Sequence, residues 1–269
     1  LKKVEYSLTA LFGGAIYKQV LDTIDQLHLV PYRVDYYLLT VEEKEKLEAE
    51  QRATLQRIGL LKRFESSVEA IRKSINRLIK FYNYFAKALD QDKILDSKTF
   101  NKLLIEMRAR EEENDETLFE TVEKAPLIPL TAEYKKQEMK KDLQEDLKRL
   151  EPLKQSLERV RPYADRKLIA LKEKLVEHRV FETGGGKAVI FTQFVDTAEY
   201  LYDDLREDLK DKQVRILTGE TDPKTREGII KEFAPKANKA TYVKKEIDVL
   251  VSTDILSEGQ NLQDASYVA

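Results

Sequence analysis

Three short clusters of hydrogen-bonding residues stand out in the last third of the chain: Thr192-Gln193, Thr218-Gly219 and Ser252-Thr253-Asp254. Each closes a short, largely apolar run that reads as a strand. One such cluster is ordinary loop chemistry. Three on the same edge of a parallel sheet suggest a shared site, because ligands sit at the carboxyl ends of such strands. A further segment, Gly184-Gly-Gly-Lys187, invites a phosphate-loop reading and fails it. Phe181 stands where the pattern needs glycine, and Ala188 where it needs Ser or Thr. The segment also precedes a strand instead of following one. It reads as a flexible lead-in. The last candidate is a basic run: Arg52, Arg57, Lys62, Arg63, Arg72, Lys73, Arg77 and Lys80 face only Glu65 and Glu69. Such a stripe can follow a phosphate backbone. It can equally be a solvated helix face that balances acidic neighbours elsewhere.

Composition limits the chemistry. The 269 residues include 47 Lys+Arg and 49 Asp+Glu, for a net charge of −2. This excludes a uniformly basic nucleic-acid coat but not a local basic face. There is no cysteine, so disulfides, thiol nucleophiles and cysteine zinc sites are excluded. Two histidines, His28 and His178, make a His-rich metal centre a poor reading. No apolar run is long enough to span a membrane. The first residues lack Met and any signal-peptide pattern, and the chain reads as a piece of something longer.

Glycine placement divides the elements. Only Gly59 lies between Gly14 and Gly184, whereas six of the nine glycines follow residue 183. A long, glycine-poor stretch rich in Glu, Lys, Leu and Arg reads as successive helices. The remainder reads as alternating strand and helix. The division is therefore placed near 184: a mixed segment over 1–40, a helical region over 41–183 and an α/β segment over 184–269. Within the first, Leu11–Leu29 has helical spacing and Val34–Leu39 reads as a short strand. Thr40-Val-Glu-Glu43 fits a capping box that starts a helix. From 52 to 89, Leu55, Ile58, Leu61, Phe64, Val68, Ile71, Ile75, Leu78, Tyr82 and Phe85 step by three or four, an amphipathic pattern. Ser66-Ser67-Val68-Glu69 offers a second cap inside it. Residues 111–116 read as an acidic exposed loop, and Pro126 and Pro129 extend the irregular region. Helical spacing returns over 131–151 and 152–180. Strands are expected at Ala188–Phe191, Val214–Leu217 and Ile247–Ser252, with helices over 196–209 and after Pro223, where Asp222 suits the N-cap.

Three blocks of this α/β segment, in order, resemble the Swi/Snf type of superfamily-two helicases. Lys187-Ala-Val-Ile-Phe-Thr-Gln-Phe194 looks like motif IV. Leu217-Thr-Gly-Glu-Thr with Arg226 and Phe233 looks like the following glycine/arginine block. Asp248 to Ala265 looks like motif V. Leu60–Ser67 and Asp165–Leu168 also resemble segments of prokaryotic, RapA-like members. The resemblance implies an α/β fold: a parallel-sheet RecA-like lobe of the P-loop NTPase type, preceded by a long, mostly helical insertion. It implies part of an ATP-dependent double-stranded DNA translocase, cytoplasmic and nucleoid-associated. Its partners would be duplex DNA and a first RecA-like lobe that binds most of the ATP and Mg²⁺.

The resemblance also implies roles. Thr192, Gln193, Thr218, Gly219, Ser252 and Thr253 would contact phosphate oxygens, which positions a strand without reading bases. Arg226 would neutralise a phosphate; the alternative is a surface salt bridge with a nearby Glu. Gly259 would let the backbone approach nucleotide, and Asn261 would lie near the ribose. Glu258 belongs to the same nucleotide-binding motif or is an exposed loop carboxylate. Asp254 would orient Arg or Thr side chains between lobes. Lys62 and Arg63 would extend the nucleic-acid contact into the helical region. No Walker A sequence and no DExH-type block occurs in the chain, and the acidic pairs Glu145-Asp146 and Asp203-Asp204 lie in helical patterns. No residue is therefore assigned a catalytic role, and the chain by itself is expected to be inactive. The competing reading is a non-catalytic helical protein-interaction module on a degenerate α/β scaffold.

Overall fold

A computed structural model describes residues 8–100, 102–103, 121–122, 124–177, 180–181, 186–240, 243, 245–253 and 261–269. The acidic run at 111–116 lies outside them. The chain divides between Val160 and Arg161 into two compact units.

The helical unit is built on α1 (Leu8–Gln26), α2 (Glu43–Ser66), α3 (Val68–Asp90) and α4 (Lys136–Glu158). A two-residue antiparallel pairing joins β1 (Lys93–Ile94) to β2 (Ile128–Pro129). The core draws Ile24 from α1 and Leu27 from just past its end, Phe64 from α2, Ile71, Ile75, Tyr82 and Phe85 from α3, and Leu143, Leu150 and Leu157 from α4. Residues 8–40 thus pack with the helices that follow them.

Several local expectations change. The segment read as a strand at Val34–Leu39 is a 3₁₀ turn over Val34–Tyr37, and only Leu38 bridges to Tyr134. Val34 and Tyr37, three apart, are the buried pair. That spacing suits a helix of three residues per turn and not a pleated strand. Helix α2 starts at Glu43, with Glu42 and Glu45 forming the capping box in place of Thr40 and Glu43. The Leu39 N–H donates to the Glu133 carbonyl at 2.7 Å, which ties down the bend at Leu39–Thr40 just before the helix.

The long amphipathic pattern is two helices. Ser67 caps the second by accepting the Ala70 N–H at 3.0 Å. Leu55 and Ile58, expected on the buried stripe, are exposed, and α2 instead buries Ala49, Ala53, Leu60 and Phe64. In α4 the helix continues through Pro152. A proline inside a helix costs about 3 kcal/mol. Leu150, Leu153 and Leu157 flank it fully buried, and each contributes roughly 1.5–3 kcal/mol. Together they outweigh the break.

In the second unit, a parallel sheet of order β4-β5-β3-β6 comprises β3 (Ala188–Phe191), β4 (Val214–Leu217), β5 (Val249–Ser252) and β6 (Tyr267–Val268). Side chains alternate across it. Ala188, Ile190, Val249 and Val251 face α5 (Arg166–Glu177) and α6 (Val195–Asp208). Val189, Leu217 and Leu250 pack with Ile230, Phe233 and Ala234 at the end of α7 (Pro223–Phe233). Both faces are covered, which explains why the strands read as apolar runs. Helix α5 contributes Leu168 and Leu175 to the sheet's core. The unit therefore begins at 161, ahead of the glycine cluster where composition changes. Asp165, buried, starts α5 by accepting the Lys167 and Leu168 N–H groups, and the Tyr200 hydroxyl of α6 donates to its other oxygen.

Candidate nucleic-acid interface

The register brings three strand ends level. Phe191 pairs with Ser252, and Ser252 with Leu217. The next residues continue the ladder: the Thr192 N–H donates to the Ser252 carbonyl at 3.0 Å, and the Thr253 N–H donates to the Leu217 carbonyl at 3.0 Å. Thr192, Thr218 and Thr253 therefore lie at one height on one edge of the sheet, where polar groups collect in open parallel sheets.

Their availability differs. Gln193 and Gly219 are exposed, Thr192 and Thr218 half-buried, and Thr253 and Ser252 buried. The Ser252 hydroxyl donates to the Thr253 carbonyl at 2.8 Å. Ser252 thus supports the edge from inside, with its hydroxyl bonded to the next carbonyl. The Thr218–Asp222 turn is tied twice. The Thr218 N–H donates to Thr221 Oγ1, and the Thr221 N–H donates to the Thr218 carbonyl, both at 3.1 Å. Thr221 had no separate signal in the sequence beyond its place in the motif. A side chain at Gly219 would meet nothing within 4 Å, so the backbone there is open to approach.

Asp222 caps α7 as expected, accepting the Thr225 N–H at 3.0 Å. Hydrogen bonds from Thr225 hold its carboxyl below its ordinary value. One turn on, Arg226 donates from Nη2 to the Thr221 carbonyl at 3.1 Å. Its Nε has no hydrogen-bond partner among the described residues. The guanidinium thus lies against the turn that carries Thr218, with its Nε buried, and it pairs with no Glu among the described residues.

Motif V is only partly described; Asp254, Glu258 and Gly259 lie outside the described residues. Asn261 donates its amide to the Ala237 carbonyl at 3.0 Å, and Asn238 donates to the Asn261 carbonyl at 2.9 Å. Asp264 accepts the Lys236 and Ala237 N–H groups. These bonds fasten the described end of motif V to the segment after α7. With its amide committed to backbone, Asn261 does not fit the ribose contact expected of it, and no nucleotide step is derived through it.

Lys187 settles the glycine-rich lead-in. It is buried, with Nζ 2.5 Å from the Phe233 carbonyl and 2.6 Å from Glu246 Oε2. A cation on the last carbonyl of α7 is a favourable C-terminal cap. The lysine serves packing, consistent with the failed phosphate-loop pattern.

The basic stripe behaves differently from its expectation. Arg52 donates to the Tyr32 carbonyl and to Asp35. Arg57 donates to the Leu27 carbonyl at 2.6 Å. Arg72 donates to the Leu157 and Val160 carbonyls and pairs with Glu69. Arg63 is buried. The stripe is thus no continuous exposed track: three of its arginines satisfy carbonyls left open where α1, α4 and a 3₁₀ turn end. Lys62 and Lys80 remain exposed.

Residues 167–269 match the family described as helicase conserved C-terminal domain. No curated protein matches the chain. The matched segment covers the sheet and the helices on both its faces, and the four-stranded parallel architecture is consistent with a RecA-like lobe. The chain therefore carries a component of the helicase type of nucleic-acid motor.

Proposed function

We propose that the α/β unit is the second motor lobe of an ATP-dependent double-stranded DNA translocase of the Swi/Snf type. The helical region would be an insertion preceding it. The observation that carries this reading is the level edge at Thr192, Thr218 and Thr253, beside the Thr218–Asp222 turn with the Arg226 guanidinium against it. Hydroxyls, backbone N–H groups and one guanidinium at that edge suit phosphate oxygens spaced along a strand. Gln193 and Gly219 supply the most accessible amide and backbone. Ser252 holds the edge in register from beneath, and Lys62 is an accessible cation of the helical region.

The chain supplies no Walker A sequence and no DExH-type block. ATP and Mg²⁺ would be bound by a first lobe, and this chain alone would not hydrolyse ATP. Loss of the first lobe's Mg²⁺ and phosphate contacts removes most of the charge stabilisation that phosphoryl transfer needs. The test is ATPase activity of the protein joined to a P-loop lobe, with and without duplex DNA. Stimulation by the duplex is expected. Arg226→Ala should reduce stimulation more than it reduces thermal stability. Absence of ATP hydrolysis under both conditions overturns the reading.

A further inference from the structure

His28 is the first residue to examine outside the motor motifs, because the fold sets it against two carboxylates from a distant helix. Its Nδ1 lies 3.7 Å from Asp142 Oδ2, and its Nε2 lies 3.3 Å from Glu145 Oε2. One donor atom from each of the three residues lies within 4.8 Å of the others. Asp142 and Glu145 are one turn apart on α4, so both project from one face. All three side chains are partly accessible, which gives an ion a path in and leaves room for water to complete its shell.

We propose that His28, Asp142 and Glu145 form a divalent transition-metal site, with zinc as its ligand. Zinc bonds of about 2.0–2.2 Å to nitrogen and oxygen place tetrahedral ligand atoms roughly 3.3–3.5 Å apart. The His28–Glu145 separation is already at that spacing. Asp142 now faces the other ring nitrogen, Nδ1, but its carboxylate is within 4.8 Å of the other two ligand atoms, so one ion on Nε2 and Glu145 draws Asp142 in as its third ligand. One neutral imidazole nitrogen and two carboxylates suit zinc better than magnesium, which keeps to oxygen ligands.

The surroundings support the ligands. The Tyr37 hydroxyl donates to Asp142 Oδ2 at 2.8 Å, an outer contact of the kind that orients ligating carboxylates. Asp146 accepts the His28 N–H at 2.7 Å and the Leu29 N–H at 2.9 Å, so the turn that carries the histidine is held by its backbone. Lys141 and Arg149 flank Glu145, at 4.0 Å and 3.5 Å. Both are on the same helix and partly exposed, and both can swing aside as the ion takes the carboxylate. The bound ion would clip the exit of α1 to α4.

The test is calorimetric titration of the whole chain with zinc chloride, with magnesium chloride as control, and melting curves in parallel. One zinc per chain, a raised melting temperature and no magnesium response are expected. His28→Gln keeps the backbone N–H that Asp146 holds, so it removes the ligand and spares the turn. It should weaken zinc binding by at least about tenfold. Glu145→Gln, at a more exposed position, should do the same. His178→Gln should leave affinity unchanged. No saturable binding up to about 1 mM zinc, unchanged affinity in both His28→Gln and Glu145→Gln, or loss of binding in His178→Gln overturns the proposal.

Discussion

The two units use polar groups in different ways. In the helical unit, charged side chains turn inward to finish the ends of other elements. Arg57 closes the end of α1, Arg72 the end of α4, and Asp146 receives two backbone N–H groups and the Tyr82 hydroxyl. In the α/β unit, side chains such as Lys187 and Asp165 finish helix ends in the same way, but the sheet's own ladder satisfies the strands. The polar residues after β3 and β4 are therefore released to an accessible edge. A charged residue count alone cannot tell these uses apart. What separates them is whether an element's last carbonyls and amides find partners in a sheet or must borrow them from side chains.

The sharpest way to break this contrast is Asp146→Ala. It strands three buried donors and should cost about 3–5 kcal/mol. Urea unfolding followed by hydrogen exchange should show the loss in α1, α3 and α4, with β3–β5 protected as before. Equal loss in both units would end the comparison. Next in size is Arg72→Met, which leaves the Leu157 and Val160 carbonyls without their guanidinium and should cost about 1–3 kcal/mol by chemical denaturation. Lys62→Ala, on the same stripe but exposed, should stay within about 0.5 kcal/mol. A neutral Arg72→Met would return the stripe to the surface.

The edge of the α/β unit gives smaller effects on folding. The Asp222 carboxyl is held below its ordinary value by Thr225. A depressed folded value means its stabilisation is present above the ordinary carboxylate range and is lost as pH falls through the lowered value. Acid titration should loosen the start of α7 in the wild type. Asp222→Asn, which keeps a cap oxygen, should flatten that acid dependence, as read by melting temperature between about pH 2 and 5. The smallest stability effect belongs to Gln193→Ala, within about 0.5 kcal/mol. Under the proposed function it should nevertheless weaken duplex binding, measured by fluorescence anisotropy at low salt.

The strands at 188, 214 and 249 were legible because both sheet faces are covered, which leaves uninterrupted apolar runs ended by Thr or Ser. The strand at Tyr267–Val268 was not: two residues carry no period. The aligned edge was legible for the same reason as the strands, since level registers follow from parallel pairing. Arginine destinations were hidden. A helical pattern shows which face Arg72 occupies, but its partners at Leu157 and Val160 lie more than eighty residues on, in an element whose position only the fold sets. Asp146 looked like any helix carboxylate, because nothing in its neighbours announces that the turn at His28 will arrive above it. Leu55 and Ile58 were misplaced because Leu55, Ile58, Leu61 and Phe64 step strictly by three, and nine residues at about 100° each put Leu55 on the face of α2 opposite the buried Phe64.

Gly186 shows how packing can counterfeit chemistry. A Cβ at this position would sit 1.4 Å from the Val180 carbonyl oxygen, an impossible overlap with backbone. In a saturation-mutagenesis screen, every substitution at Gly186 should score as damaging, and those at the buried Lys187 nearly so. The resulting profile, an intolerant glycine followed by an intolerant lysine, would look like the fingerprint of a nucleotide cradle. Its cause would be two strands of backbone passing too close for a methyl group.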